Sequence, residues 1–155
     1  MNEKAKEGLV LYAAAYSIAT IGIFAVLIKL EDYTIDGFRG LAKREPVLAF
    51  SATIFLLSLT GIPLTAGFQS KFYMLMAAVD DGHNFWLVIV AVLFAAISAY
   101  YYFRVIQAMY FKEASQDISF TSPINTGFKI MLLITAALII ALGVYPEFIS
   151  GWLYH

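Results

Sequence analysis

The sequence predicts an all-α fold, a polytopic transmembrane helical bundle of about four spanning helices with the second one interrupted. Three observations lead to this prediction. Hydrophobic residues make up 61% of the 155-residue chain and charged residues 14%, whereas globular domains average about 45–50% apolar and about 25% charged residues. The charged residues fall in short groups separated by four long apolar stretches. The second of these stretches is too long for one crossing and has glycine and proline near its middle.

Composition excludes several kinds of functional site. The chain has no Cys, which excludes disulfides, zinc-thiolate sites, iron–sulfur ligation and Cys nucleophiles. Its two histidines, His83 and His155, are far apart in sequence, which argues against a metal site built on His. The net charge of −1 gives no sign of nucleic-acid binding. No Gly-rich phosphate loop, Ser/His/Asp set or Rossmann fingerprint is present. We therefore expect no cofactor or metal bound by this chain, no nucleic-acid partner, and a lipid bilayer around it.

Each apolar stretch is compared with the roughly 20 residues that a spanning helix needs. Gly8–Ile28 has 21 residues without a charge, which is longer than the apolar core of a signal peptide. Its Ala, Ser and Gly residues favour close packing against other helices. Phe85–Phe111 carries only Arg104, near its far end, and the fourth stretch is the shortest. We place the spans at about 8–30, 46–79, 85–111 and 127–145.

The second stretch, Pro46–Val79, contains the predicted interruption. Its 34 residues would form a helix about 50 Å long, whereas the hydrocarbon core is roughly 30 Å thick. Pro63 removes a backbone donor, and Gly61 and Gly67 on either side relax the backbone. The pattern predicts two half-helices joined by an extended linker at membrane depth. A plain proline kink or a tight hairpin without function is the alternative.

A break at that depth frees backbone polar groups, so it must be buried in protein or line a wet cavity. Interrupted helices of this kind mark ion or substrate sites in transporters. Several polar side chains near the break can supply the missing hydrogen bonds: Ser58, Thr60, Thr65, Gln69 and Ser70.

Lys71 is the only charged residue of the second stretch. A lysine inside the bilayer costs at least ~2.5–3.5 kcal/mol on insertion scales, and it lowers that cost by facing water, pairing with an acid or losing its proton. A lysine that alternates between charged and neutral forms is a proton carrier. The alternative, a lysine snorkelling to the interface, is disfavoured because eight residues separate it from Asp80. No carboxylate shares a span interior with Lys71, so we expect its counter-charge to come from outside this segment.

Aromatic residues near the ends of the spans are typical of interface anchors. Tyr100 and Ser98 are kept as candidates for lining a polar path. The 80–84 stretch is typical of a turn. The residues that suit an interface belt are Trp86, Tyr101, Tyr102, Arg104, Trp152 and Tyr154.

Basic residues predict the orientation. Four crossings place both termini and the 80–84 turn on one side, and the 29–45 and 112–126 loops on the other. The loop side is richer in Lys and Arg, which predicts that it is cytoplasmic. We expect a multi-pass protein of the cell inner (plasma) membrane, with the 29–45 loop in the cytoplasm and both termini outside. The basic residues on the loop side are Lys29, Arg39, Lys43, Arg44 and Lys112, against Lys4 and Lys6 on the other.

The segment Leu56–Phe72, LLSLTGIPLTAGFQSKF, resembles the broken helix of the antiporter-like subunits of respiratory complex I. Tyr100–Ile106 and Met109–Phe111 strengthen the resemblance, and Tyr12–Phe24 resembles the helix that precedes the broken one. The resemblance covers essentially the whole chain.

Within this superfamily the chain is most similar to the subunit N branch of NADH-quinone oxidoreductase (mitochondrial subunit 2). The subunit M branch tends to have Glu where this chain has Lys71. Subunit L and the sodium/proton antiporters tend to have Lys followed by Asp, whereas here Phe72 and Tyr73 follow.

The resemblance implies that residues 1–155 are the C-terminal part of an antiporter-like proton-translocating domain. The family has many more spanning helices, and this chain resembles only the last four, so a fragment or a split gene product is expected. Lys71 would be the terminal proton carrier, exchanging protons with the outer face. Other membrane subunits and the missing N-terminal helices of the same subunit would be its partners.

The resemblance also implies an enzyme subunit without a redox site of its own. NADH, FMN, iron–sulfur clusters and quinone are expected in other subunits. Two alternatives stay open: a subunit of a sodium/proton antiporter without redox activity, and a structural membrane bundle without a transport role.

Overall fold

The computed structural model describes residues 3–80, 85–113 and 120–145, and this part of the chain is mostly α-helical. The predicted residues of the turn, 81–84, and the aromatic pair Trp152 and Tyr154 lie outside the described residues. A 3₁₀ helix at Ile35–Phe38 lies between the first two α-helices. The α-helices are α1 (Glu3–Leu27), α2 (Leu41–Arg44), α3 (Pro46–Thr60), α4 (Ala66–Asp80), α5 (Phe85–Phe111) and α6 (Thr126–Val144).

Three of the described helices are long and apolar enough to cross a membrane: Gly8–Leu27 within α1, Phe85–Phe111 and Thr126–Val144. The remaining crossing is divided between α3 and α4, each of 15 residues. A 15-residue helix is about 22 Å long, which is shorter than the roughly 30 Å hydrocarbon core. The predicted bundle of four crossings with a broken second helix is confirmed.

The connection between α3 and α4 is not the extended linker that the sequence predicted. Gly61 and Leu64 both have positive φ, 88° and 74°, and the N–H of Thr65 donates to the carbonyl of Ile62 at 3.3 Å. Residues 61–65 therefore form tight turns. The turns allow the last turn of α3 and the first turn of α4 to lie side by side, which an extended linker would prevent.

The helix α3 is the centre of the bundle, in contact with α1, α4, α5 and α6. Its Phe55 is fully buried and lies against Gly22 of α1, where an added Cβ would come within 2.6 Å of the ring. Beyond the C-terminal end of α3, Gly143 of α6 packs directly on the backbone of Leu64 and Thr65. The connection is therefore partly covered by protein, since Thr65 is buried while Pro63 and Leu64 are exposed.

The two loops that the charge pattern assigned to one side meet at one end of the bundle. Leu30 and Phe120 form an antiparallel bridge, and the N–H of Thr121 donates to the carbonyl of Lys29 at 3.0 Å. An ion pair of 2.7 Å joins Lys129 of α6 to Glu45 before α3. These contacts place both segments at the same end.

The 29–45 segment is more regular than the loop that the sequence predicted. It contains both the 3₁₀ helix and α2, and Phe38 and Leu41 are buried in the core. Gly40 has a φ of 71°, and its N–H donates to the carbonyl of Ala108 on α5. The apolar residues within this charged segment fold it back onto the bundle.

Candidate functional site

Lys71 lies five residues after the start of α4, and its side chain reaches back to the end of α3. Its Nζ donates to the carbonyl of Leu59 at 2.8 Å and to the carbonyl of Thr60 at 3.1 Å. These are the last two carbonyls of α3, which have no partner within the helix. The lysine therefore acts as a C-terminal cap of the preceding half-helix.

The other two end carbonyls of α3 are satisfied by the backbone. The N–H groups of Gly61 and Ile62 both donate to the carbonyl of Leu57 at 3.0 Å, and the Gly61 N–H also approaches the carbonyl of Ser58 at 3.1 Å. This pattern, with Gly61 in the left-handed region, is a Schellman motif. All four carbonyls at the end of α3 thus have donors, two from the backbone and two from Lys71.

The start of α4 is held in turn by α3. The hydroxyl oxygen of Ser58 accepts a hydrogen bond from the N–H of Gly67 at 3.1 Å, and the Ser70 hydroxyl donates to the Gly67 carbonyl at 3.0 Å. Ser58 and Ser70 are both fully buried. An added Cβ on Gly67 would overlap the carbonyl of Ser58. Each half-helix therefore caps the other, and the contact requires glycine at position 67.

The electrostatic setting of Lys71 comes from helix ends. The C-terminus of a helix carries a partial negative charge, and a cation there is stabilised by about 0.3–2 kcal/mol, depending on burial. Lys71 lies in the second turn of α4, near the positive end of that helix. The structure adds the negative end of α3, in direct contact with the ammonium. Within the described part of the chain, the acceptors of Lys71 are these two backbone carbonyls.

A cavity of about 620 Å³ lies beside Lys71, between α1, the break, α4 and α5. Most of its lining is apolar, including Phe68, Phe72 and Phe94. Four side chains with polar atoms also line it: Tyr12, Thr60, Lys71 and Ser98.

Tyr12 lines this cavity, which was not expected from the sequence. It follows Gly8 by four residues, so both lie on one face of α1. An added Cβ on Gly8 would come within 3.1 Å of the Cβ of Tyr73, so this face packs closely on α4. The pattern that could have indicated this position is a small residue followed, one helical turn later, by an aromatic residue with a hydroxyl group.

The structure brings together most of the predicted site residues. Thr65 is buried in the connection, where its hydroxyl donates to the Ile62 carbonyl at 2.7 Å. Gln69 is half-buried on α4, and Pro63 is exposed in the connection. The residues that meet at the break are Ser58, Thr60, Gly61, Gly67, Ser70 and Lys71.

Tyr100 is not brought to the break. It is 61% exposed and contacts the ring of Tyr101, with the centroids 5.5 Å apart. The guanidinium of Arg104 lies 5.9 Å from its ring centroid. Ser98, the other candidate on α5, lines the cavity instead.

A discontinuous membrane helix with an ionisable residue at its break is the architecture of membrane transport proteins. Among known families, the one described as NADH:quinone oxidoreductase/Mrp antiporter, transmembrane, matches residues 1–98. The chain belongs to this family, as its broken-helix motif led us to expect.

Curated relatives resemble the chain over most of its length. It is 38% identical over 146 residues to NADH-quinone oxidoreductase subunit N 1 of Solibacter usitatus (strain Ellin6076), covering 91% of this chain and 29% of the relative. It is 41% identical over 150 residues to subunit N of Bdellovibrio bacteriovorus, covering 93% and 29%. The chain thus spans less than a third of the length of these relatives.

Solved structures share its fold. Respiratory complex I from Thermus thermophilus with bound aureothin contains a chain that matches with a TM-score of 0.81 and 27% identity, covering 91% of this chain and 33% of that one. The membrane-bound sulfane sulfur reductase, an archaeal respiratory membrane complex, matches with a TM-score of 0.80 and 31% identity, covering 94% and 30%.

Proposed function

We propose that the chain is part of a proton-translocating membrane subunit of an NADH:quinone oxidoreductase, of the subunit N type, with Lys71 as a proton carrier. The observation that carries the proposal is the position of the Lys71 ammonium, 2.8 Å and 3.1 Å from the end carbonyls of α3 at the break. The relatives named subunit N support the choice of complex.

The geometry suits a change of charge at Lys71. A protonated lysine has three N–H donors, of which the carbonyls of Leu59 and Thr60 accept two. The third proton can pass to water or to another acceptor in the adjoining cavity. The neutral amine keeps two N–H bonds, which is enough for both carbonyls. Lys71 can therefore lose its proton while α3 stays capped, and the break does not have to unfold in each cycle.

The rest of the path is provided by other parts of the complex. In this proposal the end of the bundle with Glu45 and Lys129 faces the cytoplasm, both termini lie outside, and Lys71 exchanges protons with the outer face of the inner membrane. Preceding helices of the same subunit and other membrane subunits supply the acid that pairs with Lys71. NADH, FMN, iron–sulfur clusters and quinone bind to other subunits.

The experiment that tests the role of Lys71 measures proton uptake in vesicles, normalised to assembled complex. In the intact complex, we expect Lys71→Met to reduce uptake strongly, and Lys71→Arg to leave it well below the parent, because arginine stays charged at any relevant pH. Lys43→Met is the matched control, since the Lys43 side chain is 72% exposed and should be dispensable. If Lys71→Met assembles normally and takes up protons at the parent rate, the proposal is wrong.

A sodium/proton antiporter without redox activity is the second candidate, because the family description names an antiporter beside the oxidoreductase. The two candidates differ in the driving force for Lys71-dependent proton movement. NADH oxidation should drive it in the first case, and an imposed sodium gradient without NADH in the second. Proton movement driven only by sodium would replace the leading proposal with the antiporter.

A further inference from the structure

Gly61 is in direct contact with the proposed proton carrier. An added Cβ at this position would lie 3.1 Å from Cδ, 3.4 Å from Nζ and 3.7 Å from Cε of Lys71. The φ of Gly61 is also positive, 88°, which favours glycine for the backbone alone. The position therefore has two separate requirements, one from the backbone and one from the lysine.

A side chain at position 61 would act mainly on Lys71. The backbone of Gly61 is fixed, since its N–H caps the carbonyls of Leu57 and Ser58. The long lysine side chain is the more flexible partner. A methyl group would push it away from the end of α3, which lengthens its hydrogen bonds to Leu59 and Thr60. The ammonium would then sit a few tenths of an ångström from the position that it has in this structure.

We propose that Gly61 is a positioning residue for Lys71: the absence of a side chain lets the ammonium reach the two end carbonyls of α3. The inference rests on the proposed function in assigning proton transfer to Lys71, whereas the contact itself does not. Displacing a reacting group by about 1 Å can cost on the order of 10²-fold in rate. Small changes at Gly61 should therefore affect proton uptake strongly.

A double-mutant cycle tests the contact without relying on activity. Gly61→Ala is made in the intact complex with Lys71 and with Lys71→Ala, and the temperature at which half of the assembled complex is lost is compared. Gly61→Ala should lower this temperature clearly less in the Lys71→Ala background, because the methyl group no longer meets the lysine. Gly40→Ala is the matched control, a left-handed glycine with φ 71° in the 29–45 segment, and its effect should be the same in both backgrounds. Equal effects of Gly61→Ala in the two backgrounds would overturn the proposal.

Proton uptake per assembled complex gives the second readout. Gly61→Ala and Gly61→Asn should both reduce it by roughly severalfold, because a shift of a few tenths of an ångström is a fraction of the 1 Å that costs on the order of 10²-fold. Asn tolerates the left-handed region, so Gly61→Asn removes most of the backbone effect and keeps the side chain. Parent uptake in Gly61→Asn would mean that Gly61 serves the turn alone.

The two readouts separate this proposal from the function. Coupling in the cycle with parent uptake in Lys71→Met would support the contact and reject the proton carrier. Loss of uptake in Lys71→Met with an additive cycle would support the carrier and reject the role of Gly61.

Discussion

At the scale of single residues, the break is stabilised by hydrogen bonds across the two half-helices. A buried backbone group without a partner costs about 1–3 kcal/mol, and two such carbonyls would remain at the end of α3 without Lys71. At the start of α4, the Ser58 hydroxyl oxygen likewise accepts a hydrogen bond from the N–H of Gly67. The break therefore depends on a few side chains.

The close contact at Gly67 leads to a prediction about stability. Gly67→Ala should destabilise the protein by at least about 1–3 kcal/mol, because the methyl group overlaps the Ser58 carbonyl and overpacked sites cost this much. Gly127→Ala is the matched control. Among the described residues, a Cβ at Gly127 would meet only the Asn125 side chain, at 3.7 Å, and Ala is the better helix former. Thermal unfolding in detergent checks both variants, and equal effects would contradict this account of the break.

At the scale of elements, α6 holds the broken helix at both ends. Near its start Lys129 pairs with Glu45 just before α3, and near its end Gly143 packs on the connection between α3 and α4. Helix α1 packs on both half-helices, through Gly22 on α3 and Gly8 on α4. Neighbouring helices thus fix the two half-helices relative to each other. The turns that connect them would not by themselves prevent one from sliding along the other.

The partly buried ion pair should contribute more than an exposed one. The side chains of Lys129 and Glu45 are 31% and 19% exposed, whereas those of Lys43 and Glu113 are 72% and 88% exposed. Glu45→Gln should cost roughly 1–3 kcal/mol, because it leaves a partly buried ammonium without its charged partner. Glu113→Gln should cost about 0–1 kcal/mol. Chemical unfolding at equal protein concentration measures both, and a larger loss for Glu113→Gln would refute the anchoring role of the Glu45 pair.

At the scale of the whole molecule, α5 is the helix that the described chain covers least. Its middle is exposed on several faces, with Leu93 at 60% and Phe94 at 66%. This exposure fits a chain that spans less than a third of its relatives. Preceding helices of the same subunit, or lipid, would cover this surface in our proposal.

The orientation can be tested by thiol labelling, since the chain has no Cys to remove. We expect Asp32→Cys to react with a membrane-impermeant reagent only from the cytoplasm, and Gly82→Cys only from outside. Asp32 is exposed, and Gly82 lies outside the described residues. Pro123→Cys is the control, because its segment meets the 29–45 segment and should label from the same side as Asp32.

Two results would contradict the orientation or the bundle. Labelling of positions 32 and 82 from the same side would contradict the prediction that the chain crosses the membrane an odd number of times between them. Labelling of positions 32 and 123 from opposite sides would contradict the end of the bundle where Leu30 meets Phe120.

The sequence by itself determined the spans, the place of the break and the one charged residue of the broken span, Lys71. Length and hydropathy are local properties, and Gly61, Pro63 and Gly67 interrupt a helix for reasons that belong to the residues themselves. The single charged residue in an apolar stretch of 34 residues also stands out, because a lysine costs at least ~2.5–3.5 kcal/mol in lipid. The family resemblance came from the same segment.

Only the tertiary structure decided the partners of these residues. The helices are apolar on nearly all faces, so no periodicity indicates which side of a helix faces which neighbour. The sequence alone therefore did not show that Tyr12 and Ser98 reach the cavity beside Lys71 and that Tyr100 does not. The acceptors of Lys71 are backbone carbonyls, which every residue has. The side chains in the sequence therefore do not indicate which carbonyls accept its hydrogen bonds. They are brought to the lysine by tight turns and by the packing of α1 and α6, which depend on contacts between distant parts of the chain.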